Sequence, residues 1–290
     1  PPPPPSQPPP PPHNSTLSDT LSLHDALPIL NDKYKRIIEM SALPLMLLFL
    51  STVALTFQSC KGKSKSNNLS AATDSLSDDA LMDTVQRRTF LYFWEGAEPN
   101  SGLAPERYHV DGVYPENDAN VVTSGGSGFG IMAILAGIDR GYVTREEGLA
   151  RMERIVSFLE KADRFHGAYP HWWYGDTGKV KPFGQKDNGG DLVETAFLIQ
   201  GLLAVHQYYV NGNEKEKALA QRIDQIWRDV DWNWYRQGGQ NVLYWHWSPT
   251  YGREMNFPVH GYNECMIMYI LAAASPTHGV PAAVYHDGWA

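Results

Sequence analysis

The sequence predicts an all-α protein in which inner and outer helices alternate around a barrel. From position 81 onward, apolar residues recur with helical spacing, and alternating strand patterns are scarce. Helices that are apolar on nearly all sides, and must therefore be buried, alternate with helices that have one polar face. The links before the buried helices are long and the links after them are short. Parallel inner helices would place all the long loops at one end of the barrel.

Six helices follow from this spacing. The amphipathic helix predicted at 144–163 opens with Thr144-x-x-Glu147, a capping box that satisfies backbone N–H groups at a helix start. Its apolar residues fall on one face, and the segment 214–230 has the same pattern. The complete series is a first helix at 82–95, buried helices at 128–138, 192–209 and 263–274, and amphipathic helices at 144–163 and 214–230.

The first 29 residues are not expected to belong to this fold. Ten of the 21 prolines lie between positions 1 and 12. Such low-complexity sequence cannot form a core, although it could serve as a polyproline II ligand. The decapeptide 20–29, TLSLHDALPI, back-translates into a sequencing-adapter oligonucleotide. We therefore interpret residues 1–29 as an adapter-derived, non-native segment.

Residues 30–60 have the pattern of a bacterial export signal. A basic region precedes the apolar stretch 42–57, which has signal-peptide length and ends in FQSC. That ending is similar to a lipoprotein cleavage site, so Cys60 is the predicted lipidation site, with an ordinary secretory signal or an N-terminal anchor as the alternative. Residues 61–81 are polar and predict a linker. The protein is thus expected in the periplasm or on the outer membrane of a Gram-negative bacterium, touching membrane only through its lipid.

Composition excludes several functional classes. The 290 residues carry a net charge of −8, which gives no basic face for nucleic acid. Two cysteines cannot build a disulfide framework. We expect no cofactor and no metal, because no His/Cys cluster has zinc spacing and the run 187–191, DNGGD, lacks the remaining ligands of a calcium loop.

The glycine-rich run 123–130 has no predicted strand before it, so we interpret it as a close-packed, hydroxyl-lined turn at a helix start.

Aromatic residues concentrate in the three long loops, 99–126, 164–190 and 231–261. Loops of this length in a compact domain are usually functional. The aromatics could form small cores beneath the loops, but their mixture with amides, histidines and carboxylates favours a pocket that stacks sugar rings. They are Tyr108, Tyr114, Tyr169, Trp172, Trp173, Tyr174, Trp232, Trp234, Tyr235, Tyr244, Trp245, Trp247 and Tyr251.

Two carboxylates open the second buried helix. Asp191 and Glu194 are three residues apart, within one turn. An aspartate N-cap followed by glutamate at the third position is itself a capping pattern, and by pattern alone the two interpretations are equal. A carboxyl partly buried at the start of an apolar helix would have a raised pKa, which suits a general acid.

Other polar residues are weaker candidates. Glu264, with Asn263, stands before the third buried helix and could bind sugar hydroxyls or cap the helix. Asp118 and Arg107 lie in the first long loop, where solvated charges are the alternative. His171 is interpreted as a hydrogen-bond donor.

Several long motifs resemble one family, the bacterial glucoamylase-like proteins, and within it glycoside hydrolase family 144, the endo-β-1,2-glucanases. The motifs follow one another in the family's order across about 83–290. They are YFWEGAEPNSGLAPER at 92–107, SGGSGFGIMAI at 124–134, ADRFHGAYPHWW at 162–173, GGDLVETAFLIQGLL at 189–203, NVLYWHWSPTYGREMN at 241–256 and NECMIMYILAAASPTH at 263–278.

The resemblance implies an (α/α)6 toroid that hydrolyses β-1,2-glucan with inversion and is a monomer at full length. It implies Glu194 as the catalytic acid, and Asp191 beside it is a predicted substrate-binding residue, as are Asp118 and Arg107. It also implies sugar contacts at Trp172, Trp245, His246 and Glu264. No other partner is implied.

The predicted toroid is incomplete. A full ring of this type needs twelve helices, whereas about six are predicted, so 82–290 would form the N-terminal part of the hydrolase domain. We expect the carboxylate that activates water to lie outside the sequence, so that the chain by itself would be inactive. Two alternatives remain open: a glycan-binding lipoprotein without catalysis, and a polysaccharide lyase on a similar barrel, which would need a basic cleft that the acidic charge does not favour.

Overall fold

The computed structural model describes residues 76–114 and 118–290. The adapter-like segment 1–29, the export signal 30–60 with Cys60, and most of the linker 61–81 lie outside the described residues. The first helix, α1, spans Asp78–Trp94 and so begins inside the predicted linker. The side chain of Ser77 accepts a hydrogen bond from the N–H of Ala80, which explains the earlier start.

All six predicted helices are present, and the all-α class is confirmed. Besides α1, two helices start three or four residues from the predicted position. The first buried helix starts at Ser124, four residues early, and the last starts at Met266 instead of position 263. After α1, the helices are α2 Ser124–Asp139, α3 Arg145–Leu159, α4 Leu192–Tyr209, α5 Glu214–Arg228 and α6 Met266–Ala274. A closed ring of twelve helices stays a prediction.

The glycine-rich run corrects one expectation. A three-residue strand, β1 Val121–Thr123, does precede it, and the glycines lie inside α2 and not in a turn. Glycine is a poor helix former, so tertiary packing must stabilise this part of α2. A Cβ on Gly128 would collide with the backbone carbonyl of Phe197, and a Cβ on Gly201 would collide with the carbonyl of Gly128. The backbones of α2 and α4 therefore touch directly.

The outer helices start with genuine capping boxes. Thr144 and Glu147 form one at α3, and Asn213 and Glu216 form another at α5. Each box satisfies two backbone N–H groups that a helix start otherwise leaves unpaired. The apolar faces of both helices are buried in one core.

The helices alternate between two layers, as the pattern indicated. α4 contacts α2, α5 and α6, while α3 contacts α2 and α5. The helix starts of α2 and α4 lie together, because the N–H of Gly125 reaches the side chain of Glu194. None of the helices in the described part of the chain combines the length and the apolar character needed to cross a bilayer.

Short strands tie the long loops together near these helix starts. β1 pairs with β2 Trp172–Tyr174, which pairs with β3 Val180–Lys181, all antiparallel. β4 Gly190–Asp191 pairs with β5 His246–Trp247. Strands of two or three residues are too short to produce a recognisable alternation, so the sequence did not predict them.

Candidate active site

A cavity of about 590 Å³ opens where α4 and α6 begin. The loop between β5 and α6 forms much of its wall. The residues that line it are His171, Asp191, Val193, Glu194, Trp245, Phe257, Pro258, Val259, His260, Asn263, Glu264 and Cys265. Three predicted site residues therefore share its wall with Asp191, namely Glu194, Trp245 and Glu264.

Glu194 occupies the third position of α4 but does not cap that helix. The N-cap side chain of Asp191 accepts a hydrogen bond of 2.9 Å from the Glu194 N–H, which is the first half of a capping box. The second half is not made, because the Asp191 N–H donates to the carbonyl of Tyr169, at 2.8 Å. Glu194 instead accepts a hydrogen bond from the N–H of Gly125 to Oε2, at 2.9 Å. Asp191 therefore caps α4, whereas Glu194 faces the cavity.

Glu147, Glu194 and Glu216 each occupy the third position of their helix, but their pKa values shift in different directions. Hydrogen bonds from Thr144 lower the pKa of Glu147, and the hydrogen bond from Arg145 does most to lower the pKa of Glu216. Burial raises the pKa of Glu194, and the negative charge of Asp191 raises it further. The imidazole of His171 and the Gly125 N–H oppose this shift without cancelling it. Glu194 therefore holds its proton at a higher pH than an ordinary glutamate, as a general acid requires.

Asp191 is fully buried and fixes its neighbours. Its Oδ2 lies 3.0 Å from Nδ1 of His171, while its Oδ1 accepts from the Glu194 N–H. Burial alone would lower the pKa of His171, but the hydrogen bond and charge of Asp191 outweigh burial, and the pKa is raised. Because 0 % of the Asp191 side chain is exposed, its carboxylate holds His171 and Glu194 from a buried position within the cavity wall.

His246, a predicted sugar contact, does not reach the cavity. Its side chain is 0 % exposed and its Nε2 lies 3.1 Å from Oδ1 of Asp187. The N–H of Gly189 also points at Nε2, at 3.3 Å. The pairing of β4 with β5 turns His246 inward, so this residue supports the loop beneath the site.

One group of side chains has the chemistry of a metal site. Among the described residues, His171, Asp187 and Asp191 each offer a ligand atom, and these atoms lie within 4.8 Å of one another. The 3.0 Å contact between His171 and Asp191 already joins two of them as a hydrogen bond, which a cation would have to replace. Asp187 pairs through its Oδ1 with His246 and not with these two residues. The sequence predicted no metal here.

The remaining predicted site residues lie outside the cavity lining. Trp172 contacts His171 edge to face, with ring centroids 5.5 Å apart. The ammonium of Lys181 lies 4.8 Å from the Trp172 ring centroid and 3.1 Å from Asp118, so these three residues form a cluster beside the cavity. Arg107 pairs with the adjacent Glu106 and is half exposed.

Several of the loop aromatics pack into the core and do not line the cavity. Four of them, Tyr169, Trp173, Trp232 and Tyr235, are at most 2 % exposed. Of the thirteen, Trp245 alone lines the cavity in the described structure. Phe257, which the prediction did not include, lies 5.8 Å from it between ring centroids and is 57 % exposed. For these four buried residues the alternative interpretation, aromatic packing beneath the loops, describes the structure, whereas Trp245 keeps its predicted place at the cavity.

The α6 end of the cavity contains residues that the sequence pattern did not reveal. His260 and Cys265 line it, and burial raises the pKa of the Cys265 thiol to about 11. Asn263 bonds locally, accepting from the Cys265 N–H and donating to the carbonyl of His260, so it orders the helix start as a cap would. No periodic signal could identify these residues, because their position depends on how the preceding loop folds.

Comparison with known proteins agrees with the motifs. Residues 256–290 match the family model described as "Putative glucoamylase". A solved Bacteroides caccae protein of the same description is 94% identical with a TM-score of 0.73, over 73% of this chain and 52% of that one. The endo-β-1,2-glucanase of Chitinophaga pinensis, solved with sophorotriose and glucose, is 73% identical with a TM-score of 0.73, over 74% of this chain and 51% of that one.

A third relative acts on oligosaccharides. The exo β-1,2-glucooligosaccharide sophorohydrolase (non-reducing end) of Parabacteroides distasonis is 52% identical over 227 residues, which are 78% of this chain and 30% of that protein. The chain thus spans about half the length of the solved relatives and less of this one. It is similar to glucoamylase-like proteins and to β-1,2-glucan hydrolases, in agreement with its motifs.

Proposed function

We propose that this chain supplies the acid side of the active site of a β-1,2-glucan hydrolase. The observation that carries the proposal is Glu194, a half-buried carboxyl with a raised pKa at the wall of a 590 Å³ cavity. The linkage is proposed from the relatives, whose names specify β-1,2-glucans and their oligosaccharides.

The proposed chemistry is acid-assisted hydrolysis with inversion. Glu194 donates its proton to the glycosidic oxygen, so that the leaving sugar departs as an alcohol. A water molecule attacks the anomeric carbon from the opposite face, activated by a second carboxylate that inverting enzymes hold roughly 6.5–9.5 Å from the acid. His171, held by Asp191, stabilises the glutamate anion that remains after proton transfer.

The rest of the cavity wall has the properties of a sugar site. Trp245 and Phe257 offer aromatic surface on which the apolar face of a sugar ring can pack. Glu264 lines the same cavity and is exposed, so its carboxylate is free to accept hydrogen bonds from hydroxyls. Because these groups alternate between apolar and polar chemistry, the wall is suited to a neutral polyol and not to a charged polymer.

Incubation of linear β-1,2-glucan with the full-length hydrolase that contains this chain is expected to release reducing sugar, with no product from β-1,3-glucan of the same chain length. The sugar released first should have the α configuration in proton NMR, because inversion converts the β linkage. An unsaturated product absorbing in the ultraviolet would indicate a lyase. Binding of β-1,2-glucan with no new reducing ends would favour the non-catalytic glycan-binding protein.

The charge of Asp191 should set the alkaline limit of activity. Glu194 must be protonated, so kcat falls as pH rises through its pKa. Asp191→Asn retains an oxygen to cap α4 but removes the negative charge that raises this pKa, and the alkaline limb should therefore move to lower pH. The pH dependence of kcat measures it, with Asp224→Asn on α5 as a control that should leave the limb in place. A limb that moves to higher pH, or not at all, would contradict this electrostatic role.

A further inference from the structure

We propose that Gly125 is a positioning residue for the acid: its N–H fixes Oε2 of Glu194 as the hydrogen-bond acceptor, so that the transferable proton is carried by Oε1. This inference rests on the proposed function of Glu194 and adds a residue on another helix that the motif around Glu194 does not contain. The two residues are separated by 69 positions in sequence and by 2.9 Å between Gly125 N and Oε2.

The contact assigns the two carboxyl oxygens. A protonated carboxyl has one O–H and one carbonyl oxygen, and an N–H donor pairs best with the carbonyl oxygen. With Oε2 accepting from Gly125, the O–H must be on Oε1. After Oε1 has lost its proton to the leaving oxygen, the same N–H, at the positive end of α2, still faces the new anion.

Gly125 also leaves the space that the carboxyl occupies. A Cβ at this position would collide with Oε2 and would lie 2.9 Å from Cδ and 3.4 Å from Oε1 of Glu194. All three atoms of the carboxyl group are therefore within contact range of a single methyl group. Any residue other than glycine would displace the acid from its donor.

The fold itself does not require glycine here. Gly125 lies in the first turn of α2 with an ordinary helical backbone, and alanine is the better helix former. The atoms that a methyl group would meet belong to the end of a flexible side chain and not to backbone. Gly125→Ala should consequently leave the protein folded while moving the acid, which separates a catalytic requirement from a structural one.

The direct test is the pKa of Glu194 in protein labelled with carbon-13 at the glutamate carboxyls, with the resonance assigned by its loss in Glu194→Gln. Gly125→Ala should raise this pKa, because a hydrogen bond that lowers it is lost. Gly184→Ala is the matched control, since a Cβ at Gly184 meets no atom within 4 Å and the pKa should not change. An unchanged Glu194 pKa in Gly125→Ala would overturn the proposal.

A double-mutant cycle gives the kinetic test. Gly125→Ala should lower kcat by about tenfold or more with KM within about twofold, because the acid is displaced from the leaving oxygen. Glu194→Asp shortens the side chain by one methylene and withdraws the carboxyl from the added methyl group. In that background Gly125→Ala should cost less than about twofold. Equal costs in the two backgrounds would mean that Gly125 acts through general packing, and the proposal would be wrong.

Two further outcomes remain decisive. If Gly125→Ala alone cannot be recovered folded, the double variant Gly125→Ala/Glu194→Asp should be recovered, and its failure would count against the proposal. If Glu194→Gln retains full activity, the proposed acid is wrong, whereas the carbon-13 titration still tests the contact between Gly125 and Oε2. The two failures are thus distinguishable.

Discussion

Replacing Glu194 by glutamine in the full-length hydrolase is expected to lower kcat on β-1,2-glucan by about 10³-fold, with KM changed little. A positioned general acid contributes about 10²–10⁴-fold, and the amide of glutamine cannot donate a proton to the leaving oxygen. The substitution preserves the shape of the side chain and its acceptor oxygen for Gly125, so the cavity should keep its form. Initial rates of reducing-sugar release and thermal melting of the same preparation would measure the two effects separately.

Glu147→Gln is the matched control, because Glu147 occupies the same third position of α3 and completes a capping box there. It should leave kcat unchanged and reduce the melting temperature slightly. Glu194→Gln should instead lower kcat and leave the melting temperature unchanged. If both variants changed stability and neither changed the rate, Glu194 would be a capping residue and the acid would have to be sought elsewhere.

Gly128→Ala is expected to destabilise the protein by about 3 kcal/mol, because overpacking against backbone cannot be relieved by a rotamer change. The added methyl group would collide with the carbonyl of Phe197 and would lie 2.8 Å from the N of Leu198. For a domain of this size the loss corresponds to roughly 6–12 °C in the melting temperature.

The sign of this effect is diagnostic. Glycine to alanine within a helix normally stabilises by about 1 kcal/mol, so a loss must come from the contact between α2 and α4. Ala136→Gly, at an exposed position of the same helix, measures the propensity contribution alone and should cost about 1 kcal/mol. A stabilised Gly128→Ala would mean that the two helices are not in backbone contact.

The helices could be predicted because their signals are local. Apolar periodicity located all six, and the capping box at Thr144 gave the start of α3 to the residue. The start of α2 was placed four residues late, because glycines disfavour a helix unless another backbone packs against them. That partner is on α4, and its approach cannot be inferred from the sequence near position 124.

The site was only partly predictable, for the same reason. Glu194 was a candidate from its place in an apolar helix, but the capping interpretation was rejected only by the tertiary hydrogen bond of Asp191 to Tyr169. His246 and the buried loop aromatics have the composition of a sugar site, and their inward direction depends on strand pairs of two or three residues. Side-chain direction in such short pairs carries no sequence periodicity.

The glycine contact between α2 and α4 affects the entropy needed to orient the proposed acid. Glu194, the proposed acid, lies on α4, and its hydrogen-bond donor, Gly125, lies on α2. The distance between them is therefore set by two helix backbones in direct contact and not by a loop. The conformational entropy needed to orient Glu194 is consequently lost once, when the chain folds, instead of in every catalytic cycle.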